Sequence, residues 1–105
     1  MDRPPCRWLA SGTWPDGEFQ QDSPDAVAYA VEIARALEAA LEGKNKSAVA
    51  SHARIERTVL YRILQGTSWP DTLSIAKLEL ALDTSLWPAN APVLRRRRED
   101  PGATA

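Results

Sequence analysis

The stretch NKSAVASHARIERTVLYRILQG, Asn45 to Gly66, decides how this chain is read. Asn45 is a good helix cap and Gly66 a natural helix stop. Between them Val49, Ala50 and Ala53 make the inward side of one short helix. Leu60, Ile63 and Leu64 make the inward side of a second, which starts near Glu56 or Arg57 and runs to Gln65. With those residues turned in, the opposite face of the second helix carries Arg57, Thr58, Tyr61 and Arg62. These are helix neighbours at i, i+1, i+4 and i+5, so they form a single outward patch. Ala50 is small where the two helices cross closely, and Ile55 fills the gap between them.

Charge sets this stretch apart from its surroundings. The 105 residues sum to −1, yet residues 1–43 carry three arginines against eight carboxylates, net −5, while residues 44–66 carry net +4. A basic middle in an acidic chain points to a local anionic partner. Hydrophobic content of 44% and charged content of 26% are ordinary for a soluble globular domain, and the length suits one domain. Cys6 is the only cysteine, so neither an internal disulfide nor a thiolate metal cluster can form, and a reducing cytoplasm is the expected setting. The N-terminus lacks a signal peptide's apolar run, and no segment approaches the roughly 18 apolar residues a membrane span requires.

The first helix is expected to follow Ser23 as cap, with Pro24 at its first position and Asp25 at its positive end. Ala26, Ala30, Ile33, Leu37 and Leu41 recur as one apolar face, and Gly43 ends it. Asp71 caps a fourth helix, Thr72 to Leu82, and Leu86–Pro88 can start a last turn. Residues 1–22 form an N-terminal extension. There Pro4, Pro5 and Pro15 argue against helix. Arg7–Ala10 and Glu18–Gln21 suit two strands around a PDG turn, a β-hairpin; a disordered leader is the alternative, against which stand Trp8, Trp14 and Phe19. Residues 89–105, with the Arg95–Arg98 run, read as a basic, disordered tail, either a solvated end or an arm on phosphates.

Two short helices joined tightly, the second carrying basic and hydrogen-bonding side chains, make a helix-turn-helix. The stretch resembles the phage-repressor-like, xenobiotic-response-element (XRE-type) family, which aligns with it without gaps. Asn45 takes the cap, Lys46 the family's glutamine position, Val49-Ala50 its Leu-Ala pair, and Leu60 and Ile63 its buried isoleucines. SWPDTLSIAKLELALDTSLWP, from Ser68, is similar to the fourth helix and the start of the fifth, in the manner of small actinobacterial regulators. The resemblance implies an all-α, four- to five-helix lambda-repressor-like bundle over residues 23–88. Three departures stand out: Arg54 in place of the turn glycine, Glu56 in place of a capping serine, and Asp83 in place of a glycine.

A helix of this width fits the major groove of B-form DNA. On this reading Arg57, Thr58, Tyr61 and Arg62 contact bases, while Lys44, Lys46, Thr67 and Ser68 contact the backbone. The implied function is sequence-specific binding of double-stranded DNA by a small transcriptional regulator, a cytoplasmic, nucleoid-associated homodimer with recognition helices about 34 Å apart. A left-handed Arg54 would cost roughly 1–2 kcal/mol, so a remodelled turn is expected. The competing function is a protein-interaction module, antitoxin-like or scaffold, on the same frame. Leu73, Ala76 and Leu80, extended by Trp87, form a second apolar stripe on the fourth helix. Its cover is either Trp8, Trp14 and Phe19 or a second subunit; the plain alternative is a half-exposed face. An enzyme is not expected: one histidine, His52 on an outward face, one cysteine, no glycine-rich phosphate loop and no metal-ligand cluster leave no chemistry to assign. No cofactor is expected.

Overall fold

The central helix buries two faces at once. In the computed structural model, which describes residues 3–98, α1 spans Ala26–Leu41, α2 Lys46–Ala53, α3 Arg57–Gln65 and α4 Thr72–Leu82. One face of α1, with Ile33, Leu37 and Leu41, meets Ala50 and Ala53 of α2, Leu60 and Ile63 of α3, Ile75 and Leu78 of α4, and Leu86 beyond it. Burying each Leu or Ile stabilises the fold by about 1.5–3 kcal/mol, and this cluster is the main core. Its helices, α2 and α3 with a tight turn between them, make the expected helix-turn-helix, with α4 packed on α2.

The other face of α1, with Val27, Ala28 and Val31, was not read from the sequence. It is covered by Phe19 and Leu94, with Trp8, Leu9, Trp14 and Trp69 packed around them. The leader does form a hairpin: β1, Leu9–Ser11, pairs antiparallel with β2, Glu18–Phe19. Arg7 and Trp8 lie instead in a 3-10 turn, Pro5–Trp8, which the prolines permit because the first position of such a turn needs no N–H. Ala26, expected inside, is exposed; the helix is rotated so that Val27 and Ala28 face the hairpin.

Residues 91–98, read as part of a disordered tail, differ from that expectation. Residues 95–97 pass beside β2 and form a single parallel bridge, Arg96 opposite Phe19. Phe19 N donates to Arg95 O at 2.9 Å, and Arg97 N donates back to Phe19 O at 2.6 Å. Arg96 reaches the Ser23 carbonyl and the Asp25 carboxylate, both at 2.8 Å, and Arg95 lies 3.8 Å from Glu18. Leu94 is the apolar anchor. Residues 99–105 lie outside the described residues.

Both ends of α1 bear on the sequence reading. Ser23 does not cap. Its amide and carbonyl are engaged by Gln20 and Arg96, and its buried hydroxyl finds no partner among the described residues. The helix starts instead through tight turns, with Val27 N on Pro24 O and Ala28 N on Asp25 O, each 3.0 Å. Gly43 follows at φ +75. Beyond α4, Leu86–Pro88 forms no helix. The Glu79 carboxylate accepts from the amides of Leu86 at 2.7 Å and Trp87 at 3.2 Å, which pins that segment back on α4.

Candidate nucleic-acid interface

The site begins with the α2 cap. The Asn45 carboxamide accepts from Ala48 N at 3.0 Å, satisfying one of the free amides at the start of α2. At its other end Arg54 is left-handed, φ 60 and ψ 44. The turn is therefore not remodelled: a non-glycine residue holds the strained conformation. Arg54 N donates to Ser51 O at 3.1 Å and Ile55 N to Ala50 O at 3.0 Å, which closes α2 and seats Ile55 against the main core. Lys77 Nζ from α4 reaches the Arg54 carbonyl at 3.5 Å.

α3 then starts without a side-chain cap: Glu56 occupies the cap position in extended conformation, its carbonyl accepts from Val59 N at 3.0 Å, and its carboxylate bonds no helix amide. Leu60 and Ile63 turn into the core. Arg57, Thr58, Tyr61 and Arg62 all face solvent, with Tyr61 37% exposed. Arg57 Nη1 donates to Ser47 Oγ at 3.2 Å, a tie across to α2. Thr58 Oγ1 lies 3.5 Å from the Glu56 carboxylate, at the limit of a hydrogen bond. Among the described residues neither Arg57 nor Arg62 is paired with a carboxylate. The structure thus brings the four sequence-expected base-contact residues into one open patch carrying two cations.

The expected backbone-contact residues are more dispersed. Lys44 is exposed and Lys46 half-buried at the start of α2. Both line an open groove that also holds Asp16, Glu38 and Glu42, so phosphate there would meet mixed charge. Arg35, on the same groove, is already occupied by Asp16 and Glu32, each 3.0 Å away. Thr67 is exposed and its amide closes α3 on Arg62 O at 3.0 Å; Ser68 is half-buried.

The leader aromatics do not lie on the α4 stripe. Leu73 stays 66% and Leu80 85% exposed, while Phe19 fills the second core and Trp8 lies under Arg3, whose guanidinium carbon is 3.6 Å from the ring centroid. Trp14 Nε1 donates to Leu64 O at 3.0 Å, at the far end of α3. Trp87, 38% exposed, meets Tyr29 edge to face at 6.4 Å. The contact of Trp14 with α3 was not foreseen. Its only trace in the sequence is Gly66 paired with an unexplained tryptophan far upstream.

No protein-family model matches the chain, and no curated protein matches it. Among solved structures, the chain is similar to the restriction-modification controller protein C.AhdI from Aeromonas hydrophila. The identity is 24% and the TM-score 0.45, over 58% of this chain and 89% of that one. No helix of the described residues is long and apolar enough to cross a membrane.

Proposed function

We propose that this protein is a sequence-specific double-stranded DNA-binding regulator that reads the major groove with α3. The observation that carries the proposal is the outward face of α3, where Arg57, Thr58, Tyr61 and Arg62 stand together with no carboxylate partner for either arginine among the described residues. Two exposed guanidinium groups on one helix with no carboxylate partner are free to neutralise phosphate and gain by facing a polyanion. Arginine presents a planar fork that matches guanine O6 and N7, and threonine can meet a base edge or a thymine methyl. Lys44, Lys46, Thr67 and Ser68 flank this face and take backbone contacts, which add affinity and salt dependence without sequence information.

In this reading the protein acts as a homodimer in the cytoplasm, at the nucleoid. The exposed stripe Leu73, Ala76 and Leu80 on α4 is the face one copy offers the other. The same stripe favours the second reading, a protein-interaction module on a helix-turn-helix frame, in which α3 is dispensable. Selection of bound sequences from random duplex DNA at stated salt tests the first reading. Enrichment of a two-fold symmetric site with half-sites about one helical turn apart supports it. No enrichment, together with unchanged retention of Arg57→Ala, Arg62→Ala protein on genomic fragments, sinks it.

A further inference from the structure

α3 is held differently at its two ends. At its start no side chain caps it: the Glu56 carboxylate bonds no amide, the preceding turn carries a left-handed Arg54, and Arg57 Nη1 donates to Ser47 Oγ of α2 at 3.2 Å. At its finish four main-chain carbonyls are engaged. Gly66 N donates to Ile63 O at 3.3 Å and Thr67 N to Arg62 O at 3.0 Å. The other two donors come from the leader: Trp14 Nε1 to Leu64 O at 3.0 Å and Cys6 N to Gly66 O at 2.8 Å. The Trp14 ring also lies directly on Gly66. A Cβ there would come within 2.5 Å of it, and Gly66 sits at φ +70. The ring is braced in turn by Phe19, edge to face at 5.9 Å. Trp69, in the loop after α3, donates to Arg3 O at 2.8 Å.

We infer that the N-terminal leader is a clamp that sets the angle of α3, with Trp14 as the positioning residue for DNA reading. This rests on the proposal that α3 reads bases. A helix of this length is about 13 Å long, so a tilt of about 10° displaces one end relative to the other by roughly 2 Å. A hydrogen bond to a base edge does not survive that displacement. Phosphate contacts made by flexible lysines do, since they depend on net charge more than on angle. Losing the clamp therefore lowers specific binding and leaves non-specific binding in place. Trp14 touches no base itself.

The test uses the full chain with Trp14→Phe, which removes the N–H donor, and Trp14→Leu, which removes the ring. Asp71→Ala, which removes the cap of α4 away from the leader, is the control for a general loss of stability. Arg57→Ala reports on the reading of α3 itself. Each is assayed on a selected site and on random duplex, at a temperature where circular dichroism shows it folded, with hydrogen exchange followed at residues 57–66. The expected result is a fall of about tenfold in the specific-to-random affinity ratio for Trp14→Leu and a smaller fall for Trp14→Phe. The salt slope is unchanged and exchange at the end of α3 is faster. An equal fall in Asp71→Ala, or no fall in either Trp14 variant while Arg57→Ala lowers the ratio, overturns the clamp alone. If Arg57→Ala leaves the ratio intact, the base-reading proposal fails and the clamp's role in reading fails with it.

Discussion

α3 and α4 both bury one side in the main core, and they differ in everything they show to solvent. α3 presents arginines, a threonine and a tyrosine; α4 presents leucines that are 66% and 85% exposed. A hydrated cationic face gains by meeting a charged, wet surface such as a phosphate backbone. An exposed leucine pair gains only by meeting something apolar, at roughly 25 cal/mol per Å² removed from water. The two helices also begin differently. α4 has a working cap, with the Asp71 carboxylate accepting from Ser74 N at 2.7 Å, whereas α3 has none. On the proposed function this contrast is a division of labour: one helix is capped to hold a partner copy, and the other is aimed outward at nucleic acid.

The largest expected effect breaks this contrast at α3. Replacing Arg57 and Arg62 together by alanine removes two contacts worth about 1–3 kcal/mol each, so affinity for a selected site falls about a hundredfold or more. Melting temperature stays near that of the parent because both side chains are exposed. Fluorescence anisotropy at fixed salt checks the first statement and calorimetry the second. Undiminished binding would mean that α3 is not the reading helix.

Next comes α4. Leu80→Lys places a charge in the middle of the exposed stripe. Sedimentation velocity should show a shift from dimer to monomer at micromolar concentration, with weaker binding to a two-half-site duplex. Because Leu80 is 85% exposed, the monomer itself changes by no more than about 0.5 kcal/mol. A variant that sediments as the parent removes the stripe from the dimer interface and leaves α4 without a role distinct from packing.

A smaller effect sits in the turn that delivers α3. Arg54 holds φ 60 without the freedom of glycine. Arg54→Gly should stabilise the protein by about 1 kcal/mol, which for a domain of this size raises Tm by about 4–8 °C. A neutral or negative change in the thermal melt would show that the Lys77 contact to the Arg54 carbonyl, or the arginine side chain, offsets the strain.

How far the sequence discloses this division differs between the two cores. The helices of the main core are legible because each carries its own local signals: Asn45 and Asp71 do cap, Gly66 does stop α3, and Leu60, Ile63, Ile75 and Leu78 recur at helical spacing. The four expected base-contact residues emerge on one face for the same reason. The second core is not legible, because no local pattern encodes it. Leu94 is one apolar residue beside four arginines, and only the bridge that the following residues make to Phe19, seventy-odd positions upstream, gives it a place to be buried. Ser23 illustrates the opposite failure. Its local signal for a cap is good, yet its carbonyl accepts from the returning Arg96 and the residue is buried. Trp14 on Gly66 is likewise a long-range contact with no period to betray it.

The smallest effect sharpens the contrast between the helix starts. The Ser74 amide, donating to the Asp71 carboxylate, holds that carboxyl below the usual carboxylate range. A group whose folded pKa is depressed contributes stability that is complete above its unfolded pKa and disappears as pH falls through the folded value. Asp71→Asn keeps an acceptor for the cap and loses the charge that favours a helix N-terminus. At neutral pH the variant should therefore be less stable than the parent by about 0.3–1 kcal/mol. Below the usual carboxylate range the two stability curves should converge, because the parent's advantage titrates away there. Urea melts across pH 2.5 to 7 would display this. Parallel curves over that whole range would mean that α4 is seated by its packing on α2 alone, and that a cap is not what distinguishes its start from that of α3.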